Sequence, residues 1–280
     1  MAKKTVLVTG CSAGGIGAAM TKAVSDQGYY VFATLRNTSK AGSLAQLANV
    51  EILELEVTSH ESIGQCVLEV QKSTGGTLDV LVNNAVADFV IPLLDVSIEE
   101  AKRLYDVNVW SVLATTQAFA PLLIKARGAV CNISSVAATM PLAWGGVYSS
   151  SKVAAKQISE TLRVKMQPLG VRVITAMVGA AHTPIHDKAG ELVLPAGSYY
   201  QSVRQTINDQ RQGLKKPGGQ EVDVTAKNPV DDIVAGRAGL VWRGGTATLV
   251  HYLGWMLPSS LFERVVNDGR GLKEVHSGEK

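Results

Sequence analysis

From Thr5 to about Val178, short apolar runs rich in β-branched residues alternate with longer stretches of mixed polarity. VLVTG (6–10), YVFATL (30–35), VEILELEV (50–57), LDVLVNNA (78–85), GAVCNIS (128–134) and VRVITAMV (171–178) each read as a strand, with GLVWR (239–243) as a seventh. Most are apolar at odd and even positions alike, so both faces of their sheet must be covered, as in parallel sheets. Parallel neighbours need long crossovers, and segments such as 16–28 and 97–126 can supply them as helices. The pattern predicts an α/β fold built on one doubly wound parallel sheet with helices on both faces.

The alternation fails from Thr183 to about Lys227. Pro184, Pro195, Pro217 and Gly190, Gly197, Gly218, Gly219 punctuate polar sequence around one helix expected near 199–212. A small lobe or lid is expected over 183–227. The apolar stretch TATLVHYLGWMLPSSLFERVV (246–266) opens a C-terminal extension, 246–280. His251 and Pro258 break it short of the roughly 18 to 20 apolar residues of a spanning helix, so it is expected to pack on the core, wall a pocket or lie in a membrane interface. No internal repeat divides the chain, and residues 1–280 are read as one domain.

Composition narrows the function classes. With 46% apolar and 18% charged residues, the chain can bury a large core and is not disordered. Aromatics at 5% argue against a stacking surface for single strands, and a net charge of +3 without a basic run gives no reason to expect a nucleic-acid partner. Cys11, Cys66 and Cys131 lack metal or redox spacing, which fits buried thiols in a reducing compartment. The opening MAKKTVLVTG enters a strand at once and offers no cleavable signal, so a cytoplasmic location is expected, with peripheral contact to endoplasmic reticulum or lipid droplets as an option.

Candidate chemistry begins at the first strand, which runs into Thr9-Gly10-Cys11-Ser12-Ala13-Gly14-Gly15-Ile16-Gly17 before a helix. Glycines there let the backbone approach a pyrophosphate, whose charge the free amides of the helix N-terminus stabilise. The second strand ends in Leu35-Arg36, where an acid would suit NAD; Arg36 suits the 2′-phosphate of NADP. Downstream come Asn108, Ser135, Tyr148 and, four residues later on the same helical face, Lys152. Carbonyl reduction needs a proton donor. An ammonium at Lys152 lowers the phenol pKa of Tyr148 and can bind nicotinamide-ribose hydroxyls, Ser135 can hold the carbonyl oxygen, and Asn108 can seat a water that reprotonates Lys152.

With these residues the chain resembles the short-chain dehydrogenase/reductase family over roughly residues 4–245. The resemblance rests on the glycine turn, Asn83-Asn84-Ala85, Asn108, Ser135, Tyr148 through Lys152, and Val178 through Thr183. It implies a Rossmann-type fold, NADP(H), and the four roles just given. It also implies a cofactor site of Gly10, Ser12, Gly14, Gly15, Ile16, Gly17, Arg36, Glu56, Val57, Asn83, Ala85, Tyr148, Lys152, Gly179 and Thr183.

The chain departs from the family pattern in having four residues between Gly10 and Gly15, and in Val86, Val178 and Glu56, which stand where Gly, Pro and Asp are usual. The GGIG turn and the apolar tail are similar to a fungal and yeast subgroup like 1-acyl-dihydroxyacetone-phosphate reductase. Trp144 is read as a substrate-pocket wall, with core packing as the alternative, and His182 as a substrate-pocket or cofactor-side residue, with plain loop filling as the alternative. His182, His186 and Asp187 could suggest a metal, but Pro184 disfavours the aligning helix and no metal is expected.

The resulting expectation is an NADPH-dependent oxidoreductase (EC 1.1.1.-) that interconverts a ketone and a secondary alcohol on a small lipophilic substrate. That substrate is an acyl-dihydroxyacetone-phosphate-like lipid or an intermediate of fungal secondary metabolism. Two rivals use the same fold: a non-redox isomerisation or cyclisation, and a cofactor-binding scaffold held on lipid through 246–266. A homo-oligomer, dimer or tetramer, is expected through the helices that carry Asn108 and Tyr148.

Overall fold

A computed structural model describes residues 3–186, 189–214 and 219–275. Seven strands form a single parallel sheet: β1 (Thr5–Thr9), β2 (Tyr30–Leu35), β3 (Val50–Glu54), β4 (Val80–Asn83), β5 (Ala129–Ser135), β6 (Arg172–Val178) and β7 (Gly239–Arg243). Their spatial order is β3-β2-β1-β4-β5-β6-β7. The chain thus winds outward from β1 in both directions, and the order reverses between β1 and β4. Ligands of such sheets bind beyond the strands' carboxyl ends at that reversal.

Alternation along each strand divides the core into two layers. Val6 and Val8 of β1, with Val31, Ala33, Val80, Val82, Ile174 and Ala176, face α1 (Ile16–Asp26) and α7 (Val222–Val234). Leu7, Phe32, Leu81, Val130 and Val173 face the opposite layer. There they meet α2 (His60–Thr74), α4 (Ser111–Ala126) and α5 (Gly146–Met166), which contribute Ile63, Val70, Phe119, Leu123 and Met166. Helix α3 (Ile98–Tyr105) runs into α4 through a wider π-helical turn, Asp106–Trp110. The continuous helix 98–126 is long and apolar enough to cross a membrane, yet half of its most apolar window is buried inside the protein.

Within 183–227, α7 begins at Val222, just after Gln220 bridges to Ala181, and its Ala226, Val230 and Ile233 pack beneath the sheet. Helix α6 (Arg204–Arg211) lies within the 199–212 expected. The lobe has a side core of Ile91, Trp144, Leu192, Leu194, Val203 and Ile207. The extension folds as α8 (Ala247–Met256) and α9 (Ser259–Val266), whose inner face, Ala247, Val250 and Phe262, packs against Val136. The three cysteines are free and buried, and burial pushes each thiol up to about 12, so none is a nucleophile at neutral pH.

Candidate active site

The glycine turn is built by close approach. A Cβ at Gly17 would stand 2.4 Å from Asn84 Nδ2 and 2.5 Å from the Gly10 carbonyl oxygen, which leaves room for hydrogen alone. Thr9 Oγ1 accepts from the amides of Asn84 (2.9 Å) and Ala85 (3.0 Å), and Asn84 Nδ2 donates to the Thr9 carbonyl (2.8 Å). Asn84, absent from the expected set, therefore pins the turn to the end of β4. Gly15 caps α1 without any side-chain hydrogen bond, leaving its first-turn amides uncovered by a cap. Gly14, at φ +78°, lies beneath Pro184: a Cβ there would be 3.1 Å from Pro184 Cγ. The first turn of the lobe thus stands over the glycine turn, with half-buried Thr183 beside it.

The cofactor residues expected along the sheet play different parts. The Arg36 side chain is 78% exposed, and its surface pair with Glu56 (3.3 Å) holds it only weakly. Glu56 also accepts from the Thr58 amide and hydroxyl. The Val57 side chain is in the core. Asn83 is not free at its amide: Nδ2 donates to Thr116 Oγ1 (3.0 Å) and Asn132 Oδ1 (2.8 Å), and Oδ1 accepts from Thr115 (2.7 Å). Gly179 is required by packing, since a Cβ would meet the Gly244 carbonyl oxygen at 2.6 Å. The glycines of the turn, the uncapped α1 and the exposed guanidinium at the end of β2 fit a dinucleotide with an extra phosphate.

The chemical residues gather where β5 ends and α5 begins. The Ser135 hydroxyl is hydrogen-bonded to the Tyr148 phenol and also accepts from the Ala137 amide (3.2 Å). Lys152, 4% exposed, donates from Nζ to the Ile133 carbonyl (3.2 Å) and lies 5.8 Å from the Tyr148 ring centroid. Burial lowers its ammonium to about 8 against an upward pull from Asp88. For the phenol the balance is opposite to the expectation. Burial foremost and then the Asp88 charge push it above its ordinary value, and the Ser135 hydrogen bond offsets only part of that rise.

The structure gives three further expected residues these surroundings. The Asn108 side chain serves structure: Nδ2 donates to the Ala87 carbonyl (2.9 Å) and Ser151 Oγ (3.0 Å), and Oδ1 accepts from the Ala87 amide (2.9 Å). Both amide protons are committed, so this side chain anchors the loop after β4. Trp144 is 2% exposed in the side core and donates from Nε1 to the Arg270 carbonyl (2.8 Å), tying the loop before α5 to the tail. His182 is exposed and packs over Gly219. His186 instead reaches inward to Asp88. No group of metal-ligating side chains occurs among the described residues, and Asp187 lies outside them. Asp88 was illegible in sequence, because nothing in its spacing marks a loop acid that folding carries to α5.

Residues 4–192 match the family model described as short chain dehydrogenase. The chain belongs to that family. As a short-chain dehydrogenase it is an oxidoreductase. It is 50% identical over 274 residues to the short-chain dehydrogenase cctT of Talaromyces islandicus, covering 97% of each chain. It is 41% identical over 262 residues to the short-chain dehydrogenase PC-15 of Penicillium crustosum, 93% of this chain and 96% of that one. The NADPH-dependent 1-acyldihydroxyacetone phosphate reductase of Schizosaccharomyces pombe is 36% identical over 219 residues, 77% of this chain and 74% of that one. Among solved structures, a short-chain dehydrogenase from Streptomyces avermitilis superposes with TM-score 0.74 at 26% identity, covering 95% and 98% of the two chains. One from Burkholderia cenocepacia, in complex with NADP, does so with TM-score 0.75 at 21% identity, covering 94% and 97%.

Proposed function

We propose that this short-chain dehydrogenase uses NADPH to reduce the ketone of a lipophilic substrate to a secondary alcohol, or catalyses the reverse oxidation. The observation that supports the proposal is the meeting of Ser135, Tyr148 and Lys152 where β5 ends, at the same carboxyl edge of the sheet as the glycine turn after β1. The turn and the N-terminus of α1 would hold the pyrophosphate, Arg36 the 2′-phosphate and Lys152 the nicotinamide ribose; bound NADPH supplies the hydride. Ser135 donates its hydroxyl proton in a hydrogen bond to the carbonyl oxygen, a contact that strengthens as negative charge develops there. Tyr148 then gives its phenolic proton to that oxygen. Burial and Asp88 keep this phenol protonated, which suits delivery in the reductive direction. The NADP-bound structure and the NADPH-dependent relative support the choice of cofactor.

Two substrate classes are proposed, an acyl-dihydroxyacetone-phosphate-like lipid and an intermediate of fungal secondary metabolism. The first is supported by the name of the S. pombe relative, the second by the similarity to short-chain dehydrogenases of filamentous fungi. A cavity of about 480 Å³ lies between α8–α9 and the turn after β5, lined among others by Thr139, Trp242, Val250, Leu257 and Phe262. Thr139 follows Ser135 by four residues, so the cavity is a candidate berth for an apolar substrate arm, although neither Ser135 nor Tyr148 lines it. Helix α8 exposes Leu249, Tyr252, Trp255 and Met256, with Trp255 80% exposed, which supports peripheral lipid contact; a cytoplasmic location is proposed with it. Trp255→Ser with Met256→Ser should then reduce flotation with liposomes, and unchanged flotation removes that part.

The decisive assay follows NADPH oxidation over a panel holding both ketone classes. Tyr148→Phe should slow turnover by about 10² to 10⁴. Equal rates in the variant would remove the proton-donor role, and turnover indifferent to the cofactor's oxidation state would favour isomerisation or cyclisation.

A further inference from the structure

The loop between β4 and α3 carries a carboxylate whose charge raises the proton affinity of the phenol but which has no direct part in the steps above. Asp88 is held on three sides. Its Oδ1 accepts from the Phe89 amide (2.8 Å), and the preceding Ala87 is gripped at both amide and carbonyl by Asn108. Its Oδ2 lies 3.1 Å from His186 Nδ1, with only 18% of the Asp88 and 11% of the His186 side chain exposed.

His186 belongs to the first turn of the lobe, two residues beyond the Pro184 that covers Gly14. Gly213 backs the imidazole, where a Cβ would stand 2.9 Å from Cδ2. Arg211 stitches the same two segments together by donating to the carbonyls of Gly190 (3.0 Å) and Val90 (3.2 Å).

We propose that Asp88 and His186 are a positioning pair, which fastens the lobe over the reaction chamber and sets the charge that Lys152 and Tyr148 experience. The proposal rests on the reading of those two residues given above. Of the ionisable groups around Asp88, His186 from the lobe is in contact with it, Tyr148 and Lys152 from α5 feel its charge, and Arg211 is engaged with main-chain oxygens. The carboxylate raises the affinity of both α5 groups for their protons. A hydrogen bond from His186 drains part of that negative charge. A lobe that lifts away therefore leaves Asp88 bare, and α5 feels a stronger negative field. The position of the lobe is in this way communicated to the catalytic groups through a single carboxylate.

The test uses the full-length protein labelled with ¹³Cε-lysine, the Lys152 signal being assigned by its loss in Lys152→Met. Lys152 should titrate near 8 in the parent protein. Asp88→Asn should move the midpoint down by about one unit or more, and His186→Leu should move it up. Limited proteolysis of 189–214 should increase in both variants. Opposite shifts of Lys152 with parallel loosening of the lobe are the expected result.

An unmoved Lys152 midpoint, or shifts in the same direction, would overturn the pair's electrostatic role, and unchanged proteolysis its fastening role. If His186→Leu fails to fold, Asp88→Asn, which keeps the shape, decides the electrostatic point alone. The resonance needs no substrate. Shifts as expected without any Tyr148-dependent turnover would sink the proposed reaction and leave the pair standing; the reverse outcome would sink the pair.

Discussion

Replacing Lys152 by methionine should make the protein more stable at neutral pH while removing its activity. The ammonium is almost wholly buried and its affinity for the proton falls from the ordinary 10.5 to about 8. A difference of about 2.5 units at about 1.4 kcal/mol each is about 3 kcal/mol of folding free energy lost by keeping the charge inside. The variant also loses the Nζ hydrogen bond to the Ile133 carbonyl, a net contribution of about 1 kcal/mol. About 2 kcal/mol of stabilisation remains, or a rise in Tm of roughly 5 °C.

The pH dependence is the sharper signature. Below about 8 both folded and unfolded chains hold the Lys152 proton and the penalty is complete. From about 8 to 10.5 the folded chain sheds the proton first, so wild-type stability gains relative to the variant as pH rises. Calorimetry of both proteins at pH 7 and pH 10 measures this. A Tm gap that is constant with pH, or a variant less stable at pH 7, would refute the reasoning.

Gly17→Ala should lower Tm and weaken NADPH binding together, because its methyl group enters the space of Asn84 Nδ2 and the Gly10 carbonyl; overpacking of this kind costs about 1 to 3 kcal/mol, and calorimetry with cofactor titration reads both. Arg36→Ala should weaken NADPH about tenfold or more and leave NADH almost unchanged, since only NADPH carries the phosphate that a guanidinium would pair; equal losses for both cofactors would count against the assignment. Trp144→Phe keeps an aromatic ring in the side core but removes the bond to the Arg270 carbonyl, so it should cost about 1 kcal/mol of stability and leave KM unaltered; a large KM change with unaltered Tm would return Trp144 to the substrate pocket.

Sequence pattern reached the sheet because strands apolar on both faces admit few architectures other than a covered parallel one. It reached Ser135, Tyr148 and Lys152 because their order and the four-residue helical step are local properties of the chain. The same local reading left Trp144 between pocket wall and core, because an open pocket and the Arg270 carbonyl 126 residues away are indistinguishable along the chain. It could not show that the Asn108 amide is taken up by Ala87 and Ser151, nor that His186 is the histidine that turns inward to Asp88. Nor could it show that α7 lies beneath the sheet, which the burial of Ala226, Val230 and Ile233 decides.

The amino-acid order by itself determined the strands, the glycine turn and the Tyr148–Lys152 step, since each depends on residues within a few positions of one another. Only the tertiary structure decided that burial and the Asp88 charge push the phenol up, and only it brought His186 within reach of Asp88. Those outcomes depend on burial and on charges from separate loops, and electrostatic fields act through space rather than along the chain.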